Sequence, residues 1–87
     1  MQLTGRSALV TGGKRIGAVV AQALAARGAD VALSFNRSRH EAEQAAEAIR
    51  AHGQQAFIAP ADLSQASACG EIVQATTEAL GRLDILV

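Results

Sequence analysis

The sequence predicts an α/β fold, the opening half of a doubly wound parallel sheet. Three observations carry this. Short apolar runs alternate with helix-like repeats along the whole chain. A glycine cluster marks the first strand-to-helix junction, and single glycines close each helix-like repeat. Strands separated by helices must run parallel, with right-handed crossovers. The expected order of elements is β-α-β-α-β-α-β, and the expected strand order is 3-2-1-4, with strands 1 and 4 diverging at the switch point.

Ser7 to Thr11 reads as the first strand. A helix follows from about Ile16 to Arg27, because Ile16, Val19, Val20, Ala23 and Leu24 recur at helical spacing, and Gly28 ends it at a C′-type position. Val31 to Phe35 reads as strand 2. Ser38 and Glu41 have capping-box spacing, so a second helix starts there. Its narrow apolar stripe is Ala42, Ala45, Ala46 and Ile49, and Gly53 ends it. Ala56 to Ala59 is strand 3, stopped by Pro60. Ser64 is a candidate cap for a third helix with Cys69, Ile72, Val73, Thr76, Ala79 and Leu80 on its buried face and Gly81 as its terminator. Leu83 to Val87 reads as strand 4. No internal repeat, linker or low-complexity tract interrupts the pattern.

Eighty-seven residues suffice for one small domain. The formal charge is zero, which argues against nucleic acid as the main partner. No apolar run approaches the ~20 residues of a membrane span. The N-terminal residues lack the apolar segment of a signal peptide, and a single cysteine, Cys69, leaves no disulfide framework. A cytoplasmic protein is expected. His40 and His52 have no partners at metal-ligand spacing, so no metal site is expected. Cys69, on the apolar stripe of the third helix, is expected to be a buried, inert thiol. Arg39, Glu43, Glu47 and Arg50 read as a solvated helix face with some pairing.

The chemistry concentrates at Gly12, Gly13, Lys14, Arg15, Ile16 and Gly17. A strand running through a glycine turn into a helix binds phosphate. Backbone N–H groups at the helix start point at the ligand, and the helix dipole favours its charge. A Cβ would hold a pyrophosphate off, hence the glycines. The stretch departs from G-x-G-x-x-G, because Lys14 stands at the second glycine position, and it lacks the Gly-Lys-Ser/Thr of a P-loop.

Gly12 to Gly17 also resembles the T-G-x-x-x-G-x-G turn of the short-chain dehydrogenase/reductase family, and the resemblance extends over nearly the whole chain. Leu3-Thr4-Gly5-Arg6 is similar to that family's approach to strand 1. Asp62-Leu63 resembles its adenine-contacting pair, and Gly81 to Val87 resembles the approach to its N-N-A-G motif. Lys14-Arg15-Ile16-Gly17 with Asn36-Arg37-Ser38 is most similar to pteridine reductase-like and 3-oxoacyl reductase-like members. Two departures stand out. Gly12 and Gly17 are five positions apart where the family has six, so the loop is one residue short. Arg15 takes the place of the middle glycine, as it does in pteridine reductase-like members.

The resemblance implies a Rossmann-type domain that binds a nicotinamide dinucleotide. NAD-binding members place an acid at the end of strand 2 for the ribose 2′-OH. Here that stretch reads Ser34-Phe35-Asn36-Arg37-Ser38, with no acid. Arg37 can pair with a 2′-phosphate, helped by Ser38 and Lys14, so the expected cofactor is NADP(H). A solvated basic turn, with Arg39 close by, also fits. Asp62 would accept from the adenine amino group and Leu63 would offer its backbone N–H. A helix cap at Asp62 or Ser64 is the other reading.

Family members transfer hydride with a Tyr-x-x-x-Lys pair, an upstream Ser and an Asn. This sequence has no tyrosine, and its only lysine is Lys14. No catalytic residue is therefore expected within residues 1–87. The chain reads as a partial NADP-binding domain, truncated before the catalytic half. The whole protein would be an oxidoreductase reducing a carbonyl or C=N group of a small-molecule substrate, and a homo-oligomer. The alternatives are a non-catalytic NADP-binding module and a decayed fragment, for which the short loop speaks most directly.

Overall fold

The structure is a computed structural model that describes residues 2–11, 15–37, 39–62 and 67–87. The elements are β1 (Ser7–Thr11), α1 (Arg15–Ala26), β2 (Asp30–Phe35), α2 (Arg39–Ala51), β3 (Ala56–Pro60), α3 (Ala68–Leu80) and β4 (Ile85–Leu86). All strand pairs are parallel and the sheet order is β3-β2-β1-β4, as the alternation predicts.

The two-residue period of the strands sorts their side chains onto two faces. Val10, Val31 and Leu33 point to one face, where Ala21 and Ala25 of α1 and Ala45 and Ile49 of α2 cover them. Leu9 and Ala32 point to the other, where Ile72 of α3 meets them. Among the described residues the first face has two helices and the second has one. Phe57, Ala59, Val73 and Leu83 on the second face are accordingly only half-buried.

The helix faces hold two surprises. In α2 the buried residues are Ala42, Ala45, Ala46 and Ile49, the predicted stripe. In α1 the buried line runs through Ala21 and Ala25, with Ala18, Val20 and Leu24 half-buried, while Val19 is 65% exposed and Ala23 is exposed. Alanines let the helix axis come close to the sheet, so the small residues face inward and the larger Val19 faces out. In α3, Ala68, Ile72 and Thr76 are buried, but Cys69 and Ala79 are exposed. The expectation of a buried thiol therefore fails. Cys69 lies about 60° round the helix from Ile72, on the flank shared with half-buried Val73, and no second helix covers that flank among the described residues. Buried Thr76 satisfies its hydroxyl by donating to Ile72 O at 2.7 Å.

The turns follow the glycines. Gly28, Gly53 and Gly81 end the three helices with φ of 99°, 84° and 84°, the left-handed region that suits glycine. Gly28 is doubly constrained, since a Cβ there would come within 2.8 Å of Thr4 Oγ1 and 3.1 Å of Thr4 Cα. The N-cap of α3 is Ser67, whose side chain makes no capping bond. Asp62 is therefore not the cap of this helix, and Ser64 lies outside the described residues.

β4 is shorter than Leu83 to Val87 predicts, and it is held at both ends. Asp84 N–H donates to Ser7 O at 2.9 Å, and Ser7 N–H donates back to Asp84 Oδ2 at 3.0 Å. At the far end Val87 O accepts from both Thr11 N–H (3.1 Å) and Thr11 Oγ1 (2.9 Å).

Candidate nucleotide-binding edge

Parallel pairing brings the carboxyl ends of β1, β2 and β3 to one edge of the sheet. Thr11 stands opposite Ser34, Ser34 opposite Ala59, and Phe35 opposite Pro60. The ladder runs one step further, with Ala61 N–H donating to Phe35 O at 2.8 Å. The segments leaving β2 (Asn36-Arg37) and β3 (Ala61-Asp62) therefore start from adjacent strand ends. In open α/β sheets this edge, beside the switch between β1 and β4, is where ligands bind.

The structure positions the expected site residues unevenly. Arg15, Ile16 and Gly17 form the first turn of α1, directly after the β1 end. Asn36 and Arg37 are exposed just past β2, and Asp62 is exposed just past β3. Gly12, Gly13, Lys14, Ser38 and Leu63 lie outside the described residues, and with them the question of the shortened loop. Beyond β3 a cleft of about 440 Å³ opens against α3, with Ala59, Ala61, Ala68 and Ile72 as an apolar floor and Asp62 and Glu71 at its rim. Small side chains on the floor and acceptors on the rim suit a flat, amine-bearing ring.

Two features escape sequence reasoning. Thr11 clasps Val87 and so fixes the end of β4 beside the edge. Its hydroxyl gives no sequence signal, because Thr is an ordinary strand residue. At the opposite end of β1 a charge cluster surrounds Asp84. Arg82 reaches it through Nε at 2.7 Å and Nη2 at 2.6 Å, and Arg6 Nη1 lies 3.6 Å away. Arg82 and the Ser7 N–H hold the Asp84 carboxyl below the usual carboxylate range, and Arg6 adds to this, with burial opposing. The Arg-x-Asp spacing just before an apolar run is the signal that could have found this cluster.

Among the described residues no three His, Cys, Asp or Glu side chains gather as a metal site, and no helix is long and apolar enough to cross a membrane.

The sequence model described as short chain dehydrogenase matches residues 6–87. The chain belongs to the short-chain dehydrogenase/reductase family. Hydroxynaphthalene reductase arp2 of Aspergillus fumigatus is 44% identical over 88 residues, covering 100% of this chain and 32% of that protein. The short-chain dehydrogenase/reductase homolog YusS of Bacillus subtilis is 43% identical over 88 residues, covering 100% of this chain and 81% of YusS. Among solved structures, a short chain dehydrogenase from Burkholderia cenocepacia in complex with NADP superposes with a TM-score of 0.94 at 41% identity, covering 99% of this chain and 36% of that one. The chain thus spans about a third of the length of most of the relatives it matches, and four-fifths of YusS.

Proposed function

We propose that residues 1–87 form the NADP(H)-binding part of a short-chain oxidoreductase that reduces a carbonyl or C=N group of a small molecule. The observation that carries this reading is the basic end of β2. Asn36 and Arg37 leave β2 from a strand end adjacent to the one that Asp62 follows, and no acid occurs from Val31 to His40. A carboxylate there would accept from a ribose 2′-OH and repel a 2′-phosphate. A guanidinium does the reverse. The donor set therefore fits a 2′-phosphorylated dinucleotide, and the NADP-bound relative from B. cenocepacia supports the same reading.

The division of labour follows from position. The glycine turn and the first turn of α1 (Gly12, Gly13, Lys14, Arg15, Ile16 and Gly17) would hold the pyrophosphate on backbone N–H groups. Asn36, Arg37 and Ser38 would hold the 2′-phosphate. Asp62 and Leu63 would read adenine at the mouth of the cleft beyond β3. The bound dinucleotide supplies the hydride. None of these residues moves a proton, and with no tyrosine among residues 1–87 the family's general acid has no counterpart here.

Calorimetric titration with NADP⁺ and NAD⁺ tests the reading. The chain should prefer NADP⁺, and Arg37→Asp should erase or reverse the preference by about tenfold, the worth of a charge-assisted, partly exposed phosphate contact. Equal affinity for both, unchanged in Arg37→Asp, overturns it. The second reading is a nucleotide-binding module without catalysis.

A further inference from the structure

We propose that Arg39 is a second reader of the 2′-phosphate and that Glu43 sets how strongly it reads. The inference rests on the nucleotide reading above and names the regulation of that same site. Its basis is a held guanidinium. Phe35, the last residue of β2, is only 5% exposed and follows Val31 and Leu33 onto the face covered by α1 and α2. Arg39 opens α2, and its guanidinium carbon sits 5.6 Å from the centroid of the Phe35 ring. One turn along the helix, Glu43 Oε1 accepts from Arg39 Nε at 2.9 Å. The side chain of Arg39 is 67% exposed, yet ring and carboxylate together hold its planar head beside Phe35, the last residue of β2.

Arg37 and Arg39 are two residues apart, so their Cα atoms lie within about 7 Å of each other. The pair with Glu43 engages Nε, and the two Nη groups carry four further N–H donors. A guanidinium already oriented by a ring and a hydrogen bond loses less freedom when it takes a phosphate than one on an open turn. Glu43 acts in the opposite sense. It competes for the same guanidinium, and its own charge repels a nearby phosphate dianion. The acid missing from the end of β2 thus stands one turn into α2, where it weakens the phosphate contact through Arg39 instead of binding the ribose itself.

Calorimetric titration of the chain with adenosine 2′,5′-bisphosphate and with AMP isolates the 2′-phosphate, since the two probes differ only there. Arg39→Ala should weaken the bisphosphate about fivefold or more and leave AMP within about twofold. Arg39→Lys, which keeps the charge without the fork, should fall between the two. Glu43→Gln should tighten the bisphosphate by about two- to fivefold, as expected for an exposed pair, leave AMP unchanged, and lose that gain in the double variant with Arg39→Ala. Equal weakening of both probes by Arg39→Ala would mean that Arg39 serves only the helix face. No change, or weaker bisphosphate binding, in Glu43→Gln would show that Glu43 does not restrain the site. Should Arg39→Ala fail to fold, Glu43→Gln carries the test alone, because it alters only an exposed pair. A wild-type chain that prefers the bisphosphate while ignoring both substitutions refutes this proposal and leaves the nucleotide reading standing. A wild-type chain that does not distinguish the probes refutes both.

Discussion

Asp84 shows how one side chain sets the register of an element too short to set its own. β4 pairs with β1 through only Ala8–Ile85 and Leu9–Leu86. Asp84 adds a carboxylate that takes the Ser7 N–H and two bonds from Arg82. Its pKa is depressed in the fold, chiefly by Arg82. Its contribution is then fully present above the ordinary carboxylate pKa of about 3.9 and is lost as pH falls through the lower, folded value. Asp84→Asn should therefore destabilise the chain at neutral pH, and the gap to wild type should close below about pH 4. Denaturant melts of both proteins from pH 7 to pH 2 measure this. A gap that persists unchanged into acid would show that the carboxylate charge is irrelevant and that the Ser7 bond alone matters.

At the scale of elements, the phosphate site proposed at the β1–α1 junction carries a prediction of its own. Gly12 and Gly17 are five positions apart in this sequence, one fewer than in the family pattern. Removing a residue from a tight turn shifts the N–H groups aimed at a pyrophosphate. Inserting one small residue between Gly13 and Lys14 should return those groups to hydrogen-bond reach, ~2.9 Å, and tighten dinucleotide binding. The same insertion between Gly53 and Gln54, in the α2–β3 turn on the opposite edge, should not. Titration with NADP⁺ compares them. Weaker binding after the loop insertion would make the short loop a working variant and remove the main support for a decayed fragment.

At the scale of the molecule, the sheet is covered by two helices on one face and one on the other, and the outer edge of β4 has no strand beside it among the described residues. Leu86 on that strand and Val87 just after it are 58% and 50% exposed. An unpaired apolar edge is a template for another chain, and a domain of 87 residues has little stability in reserve. The 87-residue chain should therefore self-associate as concentration rises. Leu86→Lys should suppress this at little cost, because the side chain is mostly exposed. Sedimentation of both proteins decides the matter, and a wild-type monomer at all concentrations with a sharp melt would show the edge to be harmless. The same chain should not oxidise NADPH in the presence of carbonyl substrates, since it has no tyrosine to donate a proton. Substrate-dependent loss of absorbance at the NADPH band would contradict that expectation.

Element types and strand order were legible in the sequence because local physics determines them. Glycines at 28, 53 and 81 stop helices through their own φ, the apolar runs mark strands, and helical crossovers leave parallel pairing as the only choice. The location of the candidate site was legible for the same reason, since Asn36, Arg37 and Asp62 follow the strands whose ends the topology aligns. What faces what was decided by tertiary packing. Val19 turns outward because alanines 21 and 25 bring α1 closer to the sheet, and Cys69 is exposed because no other helix joins α3 on its face among the described residues. The Thr11–Val87 clasp, the bond between Asp84 and Ser7 and the Phe35–Arg39 contact were out of reach, although the spacings of Arg82–Asp84 and Arg39–Glu43 are local. Each of those three joins groups whose meeting depends on strand register or on rotamers in space, and no periodicity along the chain encodes that.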